Sequence, residues 1–119
     1  MLFIHYPKCT TCKKASAWLA EKGISVKERN IKEQNPTADE LKTWVAKSAL
    51  PVRKFFNTSG QLYREMGLKD KLASMTDAEM INLLASDGML VKRPLFIGEN
   101  GVCVGFKEGD WEKAVNGEK

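Results

Sequence analysis

Two cysteines, Cys9 and Cys12, stand between a short apolar run and an amphipathic stretch near the N-terminus. At that spacing two thiols lie within one helical turn and can close a small disulfide. With Cys9 at the mouth of a helix, unpaired backbone N–H groups and the helix dipole favour its thiolate over its thiol. The thiolate is the nucleophile of disulfide exchange. The pattern therefore points to Cys9 as the attacking sulfur and Cys12 as the resolving one. Lys8, Lys13 and Lys14 flank the pair and either add positive potential or form a solvated face.

Two other uses of the pair are weaker. Buried inert thiols would not sit at a strand-to-helix junction. A zinc site needs two further ligands, and only His5 and Cys103 are on offer, without matching spacing. Cys103 alternates with Val102 and Val104, so it reads as a small buried hydrophobe.

The elements that must position the sulfurs follow from periodicity. Leu2, Phe3 and Ile4 form a short strand that ends near the cysteines. Cys12, Ala15, Trp18 and Leu19 recur at helical spacing between Thr11 and Lys22, and Gly23 follows as a stop. Cys12 thus shares the buried face, with Cys9 at the mouth. Ile24 and Val26 alternate with Ser25 and Lys27, which predicts a strand running to about Ile31. Strand, helix and strand in this length imply a right-handed parallel unit.

Residues 35–90 read as a helical insertion without a strand of its own. Thr37 with Glu40, and Thr76 with Glu79, offer capping boxes ahead of apolar helical runs. Pro51, Thr58-Ser59-Gly60 and Gly67 divide the shorter pieces between them. Strand chemistry returns in Leu95-Phe96-Ile97 and Val102-Cys103-Val104, joined by Gly98-Glu99-Asn100-Gly101, where Asn-Gly is a hairpin signal. Asp110 can cap a last helix that carries Trp111, Ala114 and Val115. Trp18, Trp44 and Trp111 sit at helical core spacing and read as packing. Residues 117–119 look frayed.

The 119 residues make one domain, with a core from 1–34 and 91–119 and the insertion at 35–90. Lys32 and Lys92 mark the approximate splice points. The net charge of +4 comes from basic residues scattered among acidic ones. No basic block interleaves with aromatics, so direct nucleic-acid binding is not expected, and a small anionic substrate or an acidic protein partner fits as well. No apolar run approaches the roughly 18 residues that span a bilayer. Met1-Leu2-Phe3-Ile4 breaks at His5 and Pro7, unlike a signal peptide. A cytoplasmic protein is expected, where structural disulfides are rare and C-x-x-C is more often catalytic or metal-binding.

This order of elements, with C-x-x-C at the first helix and Pro94 opening the third strand, resembles the thioredoxin layout. Together with the helical insertion and Lys92-Arg93-Pro94-Leu95, the chain resembles the arsenate reductase ArsC/Spx family. The likeness covers nearly the whole chain: His5 to Cys9, Arg29-Asn30-Ile31, Leu50 to Lys54, Arg93-Pro94 and Gly105-Phe106-Lys107.

The resemblance implies an α/β fold, a thioredoxin-like four-stranded mixed sheet with flanking helices and an inserted helical subdomain. It implies a cis-proline at Pro94, beside the active cysteine. It matches Cys9 to the family nucleophile, His5 to the histidine four residues before it, and Arg53 and Arg93 to two of three oxyanion-holding arginines. The third arginine falls near Phe106 and Lys107, where this chain has none. A lysine there is a point charge and not a bidentate fork, which weakens oxyanion binding. Cys9, Cys12 and Arg93 are thus the candidate catalytic residues, and His5, Arg53 and Pro94 the candidate substrate-binding ones. His5 can equally be a strand-end histidine satisfied by a neighbour, and Arg53 a surface-paired arginine.

The function implied is thiol-disulfide exchange through Cys9 and Cys12 on a small anionic or disulfide substrate. No bound metal or organic cofactor is implied, with glutathione, glutaredoxin or thioredoxin as electron donor. One alternative is arsenate reductase proper. The other is an Spx-like redox-switched regulator that binds the RNA polymerase α-subunit.

Overall fold

A computed structural model describes residues 1–116, so the frayed end expected at 117–119 lies outside the described residues. The chain divides into two compact units, one from Met1–Asn30 with the chain from Arg93 on, the other Ile31–Lys92.

The first unit is built on a four-stranded mixed sheet of β1 (Leu2–His5), β2 (Lys27–Asn30), β3 (Leu95–Gly98) and β4 (Gly101–Val104), in the order β2-β1-β3-β4. β1 runs parallel to β2 with Phe3 opposite Glu28. It runs antiparallel to β3 with Phe3 opposite Phe96. β3 and β4 form the hairpin, with Gly98 facing Gly101. The turn is therefore Glu99-Asn100, one residue earlier than the Asn-Gly signal suggests.

Two helices, α1 (Thr10–Glu21) and α6 (Glu108–Asn116), complete the unit. The core gathers Phe3, Ala15, Trp18, Leu19, Phe96, Cys103, Trp111 and Ala114. Trp111 is fully buried at its centre. Its ring meets Phe96 at 4.9 Å and Phe106, Trp18 and Phe3 edge-on at 5.1, 6.0 and 5.9 Å. Its indole N–H donates to the Gly105 carbonyl at 3.0 Å, so the one polar atom of the ring is satisfied. Burying a ring of this size removes roughly 150–250 Å² from water, worth about 4–6 kcal/mol. This cluster fixes α1, and with it the cysteines, against the sheet.

Two expectations fail here, each for a local reason. The second strand starts at Lys27 and not at Ile24. Gly23 takes a left-handed φ of 68°, and the Ile24 N–H turns back to the Leu19 carbonyl at 3.0 Å. The helix cap thus uses the residues whose alternation suggested strand, and Ile24 and Val26 pack against the core cluster. Asp110 does not cap the last helix. The Trp111 N–H bonds the Lys107 carbonyl at 3.1 Å, so the first turn closes earlier and Asp110 lies within it, still at the dipole's positive end.

The second unit contains α2 (Ala38–Ser48), α3 (Gln61–Glu65), α4 (Leu68–Lys71) and α5 (Asp77–Ser86), with single 3₁₀ turns at Val52–Phe55, Leu72–Ser74 and Gly88–Leu90. Both capping boxes form: Thr37 accepts from the Glu40 N–H and Thr76 from the Glu79 N–H, each at 3.1 Å. α2 packs on α5, and Leu41, Phe55, Phe56, Leu68, Leu84, Leu90 and Val91 are sealed inside. No strand forms among the unit's described residues, only an isolated bridge between Phe56 and Val91. The unit's two chain ends meet within it. A Cβ on Gly88 would lie 1.9 Å from the Ile31 carbonyl oxygen, so only glycine permits this approach.

Candidate functional site

The segment between β1 and α1 is short and tightly bonded. Pro7 has no N–H to continue the β1 ladder, and the Cys9 N–H turns back to the Tyr6 carbonyl at 2.9 Å. Cys9 then sits at the N-cap with extended φ and ψ of −87° and 123°, and its carbonyl accepts from the Lys13 N–H at 3.1 Å. The cap position normally holds Ser, Thr, Asp or Asn, whose oxygen satisfies first-turn amides. Here it holds sulfur, and no formed side-chain cap bond results.

The first turn of α1 carries no acidic residue, unlike α2 and α5. The positive end of the helix therefore faces the Cys9 sulfur without a competing carboxylate.

Cys9 is half-buried and Cys12 only 1% exposed. Both are free thiols, as is Cys103. Partial burial pushes the Cys9 pKa up, but the Cys12 amide and thiol, and the charge and hydrogen bond of Arg93, outweigh it. The net result is a Cys9 pKa below the ordinary value of 9.0. Cys12 goes the other way. Burial first, then the neighbouring Cys9 sulfur, drive its pKa up to about 12, against the pull of the Tyr6 N–H and Arg93. That N–H points at the Cys12 sulfur at 3.5 Å. Two thiols on one helical turn are thus split into an acidic, accessible one and a buried, protonated one. This split is what an attacking and a resolving sulfur require.

Arg93 precedes Pro94, and the peptide bond between them is cis. Pro94 is buried, and its carbonyl accepts from the Gly105 N–H at 2.9 Å, which ties this corner to the end of β4. The Arg93 guanidinium lies with Cζ 5.1 Å from the centre of the Tyr6 ring. Its Nε and Nη1 are buried without a hydrogen-bond partner. The structure thus brings Cys9, Cys12 and Arg93 together, with Pro94 next to Arg93 in the chain.

His5 is differently engaged. Its Nε2 lies 3.2 Å from Glu28 Oε1 and its ring stacks on Phe3 at 4.6 Å. The strand-end reading of this histidine therefore has its neighbour, and His5 is not among the groups that act on the Cys9 sulfur. Arg53 belongs to the second unit, where it lies exposed on a single 3₁₀ turn. Lys8, Lys13 and Lys14 are all exposed around the cysteines. Phe106, near the expected third arginine, is half-buried against Trp18 and Trp111. Among the described residues no group of three or more His, Cys, Asp or Glu converges to hold a metal ion.

Sequence reasoning missed Tyr6. No local signal marks it, because its partner Arg93 lies far away in the sequence.

A sequence model of the ArsC family matches residues 4–114. The chain belongs to the ArsC family. The match contains Cys9, Cys12, Arg53, Arg93 and Pro94, and the four-stranded sheet with its helical insertion is the thioredoxin-like fold of that family. A crystal structure of an ArsC family related protein from Bacteroides fragilis superposes with a TM-score of 0.93 at 54% identity, covering 95% of each chain. The uncharacterized protein YusI of Bacillus subtilis is 52% identical over 113 residues, 95% of this chain and 96% of that one. The global transcriptional regulator Spx of Enterococcus faecalis is 30% identical over 104 residues, 87% of this chain and 77% of its own. Of these similar proteins, one is named as a transcriptional regulator and the others carry no named role. No helix among the described residues is long and apolar enough to cross a membrane.

Proposed function

We propose that this ArsC family protein is a thiol-disulfide oxidoreductase that works through Cys9 and Cys12 in a reducing cytoplasm. One observation carries the reading: the two sulfurs differ in opposite directions, Cys9 ionised more readily than an ordinary thiol and Cys12 far less so.

In the first step the Cys9 thiolate attacks one sulfur of a substrate disulfide. The S–S bond breaks, the other substrate sulfur leaves as a thiolate, and Cys9 holds the mixed disulfide. Cys9 has then lost its charge. The part of the push on Cys12 that came from the Cys9 charge is thereby removed, burial remains, and the Tyr6 N–H and Arg93 continue to favour the Cys12 thiolate. Cys12 attacks the Cys9 sulfur, the bond between Cys9 and the substrate sulfur breaks as the Cys9–Cys12 bond forms, and the departing substrate thiolate takes up the proton that Cys12 gives up. Two electrons have passed to the substrate, and the Cys9–Cys12 disulfide returns to dithiol with two electrons from glutathione, glutaredoxin or thioredoxin.

Oxidised glutathione tests the reading. The reduced protein is expected to form the Cys9–Cys12 disulfide, and Cys12→Ser to stop at a glutathione adduct on Cys9. A Cys9→Ser protein that still exchanged at the wild-type rate would refute the assignment.

A second reading, arsenate reduction, is favoured by the two unpartnered buried N–H groups of Arg93, which suit an oxyanion beside Cys9. Arsenite formation from arsenate with a thiol donor would support it. Likeness to a global transcriptional regulator named Spx favours a third role in transcriptional control, for which we propose redox-dependent binding to RNA polymerase. Equal binding, or none, in both redox states would remove that role.

A further inference from the structure

Arg93 poses a problem of placement. A guanidinium in a protein is usually held by a carboxylate. A carboxylate near Cys9 would spend the positive charge of Arg93 and would itself oppose the thiolate. The chain uses a ring instead. The Tyr6 ring face lies 5.1 Å from Arg93 Cζ, and Nε and Nη1 remain without hydrogen-bond partners. An aromatic face attracts a cation through its quadrupole and carries no net charge, so the guanidinium is held while its full charge stays available.

Tyr6 is itself fixed by its backbone. Its N–H points to the Cys12 sulfur at 3.5 Å, and its carbonyl accepts from the Cys9 N–H at 2.9 Å. One residue therefore touches both sulfur-bearing residues through its main chain and Arg93 through its ring.

We propose that Tyr6 is the positioning residue of the site, whose ring holds the Arg93 guanidinium against the Cys9 sulfur in place of a counter-ion. The inference rests on the proposed function only in taking Cys9 as the reacting sulfur.

The test is the pH dependence of Cys9 alkylation by iodoacetamide in the full chain, localised to Cys9 by peptide sequencing. In Tyr6→Leu the midpoint should rise by about half to one pH unit, a rate ~3- to 10-fold slower below the midpoint. Tyr6→Phe keeps the ring and should recover the wild-type midpoint. In an Arg93→Ala background, Tyr6→Leu should produce no further rise. An unchanged midpoint in Tyr6→Leu, or an equal rise with and without Arg93, would overturn the proposal.

Should Tyr6→Leu fail to fold, pentafluorophenylalanine in place of Tyr6 keeps the ring shape and reverses its quadrupole. A raised midpoint then supports the role and an unchanged one removes it. Alkylation requires neither Cys12 nor a disulfide substrate. Failed disulfide exchange would leave a positive result for Tyr6 standing, and a negative result for Tyr6 would leave exchange through Cys9 and Cys12 untouched.

Discussion

Cys12 favours the thiolate of Cys9 while its own thiol is driven toward the protonated form. Its amide and thiol both favour the Cys9 thiolate, and burial together with the Cys9 charge drives its own pKa up to about 12. Between the Cys9 midpoint, which lies below 9.0, and the Cys12 value of about 12, the pair therefore holds one proton between two sulfurs. That asymmetry, more than the mere presence of two cysteines, separates a redox pair from two buried thiols.

The first consequence concerns the reduction potential. Below the Cys9 midpoint, reducing the disulfide takes up two protons with two electrons, and the potential should fall by ~59 mV per pH unit. Above that midpoint, and up to the Cys12 value of about 12, one proton accompanies two electrons. The slope should then halve to ~30 mV per pH unit. Equilibration with glutathione buffers across pH measures both slopes and the break between them. A single steep slope continuing through pH 9.0, the ordinary thiol value, would show that Cys9 is not an early-ionising thiol.

Cys103 should behave as the internal control. Burial first, and the nearby Asp110 second, raise its pKa to about 11, and its thiol points to the Asp110 carbonyl at 3.6 Å. At neutral pH the native protein should alkylate at Cys9 and spare Cys103 until denaturant is added. The sign for stability follows. A raised thiol pKa stabilises the fold below the unfolded value of 9.0, and that contribution is lost as pH rises through about 11. Cys103→Ala should therefore flatten the alkaline decline in melting temperature over this window. A decline as steep as wild type would contradict the burial argument.

Backbone geometry in the second unit yields a pair of substitutions with opposite effects. Gly88→Ala drives a Cβ into the Ile31 carbonyl, a backbone atom that cannot rotate away, and should cost about 1–3 kcal/mol or more. Ala49 ends α2 at a left-handed φ of 59°, where a Cβ is unfavourable. Ala49→Gly should thus stabilise by about 1 kcal/mol. Denaturant unfolding of the two variants measures both, and a shift of the same sign in each would contradict the geometry.

Much of this was legible in the residues themselves. The Thr37–Glu40 and Thr76–Glu79 boxes are local devices, written in four consecutive residues, and both form. The apolar repeat of α1 placed Cys12 on the buried face and left Cys9 at the mouth, because helical spacing alone decides that. Ile24 and Val26 misled because alternation cannot tell a strand from a helix exit that packs on a core, and the Gly23 cap decided the matter. Asp110 misled because N-cap chemistry and first-turn chemistry favour the same side chains. Tyr6 and Gly88 were out of reach for a different reason. Their partners, Arg93 and Ile31, are distant in sequence, and no local pattern announces a ring beneath a guanidinium or a glycine against a carbonyl.

The most direct measurement is a thiolate titration of Cys9 in the reduced protein, followed by ultraviolet absorbance and repeated in Cys9→Ser. The expected result is a transition with its midpoint below 9.0 that vanishes in Cys9→Ser. A midpoint at or above 9.0, or a transition that survives removal of Cys9, would contradict the assignment of Cys9 as the ionised nucleophile.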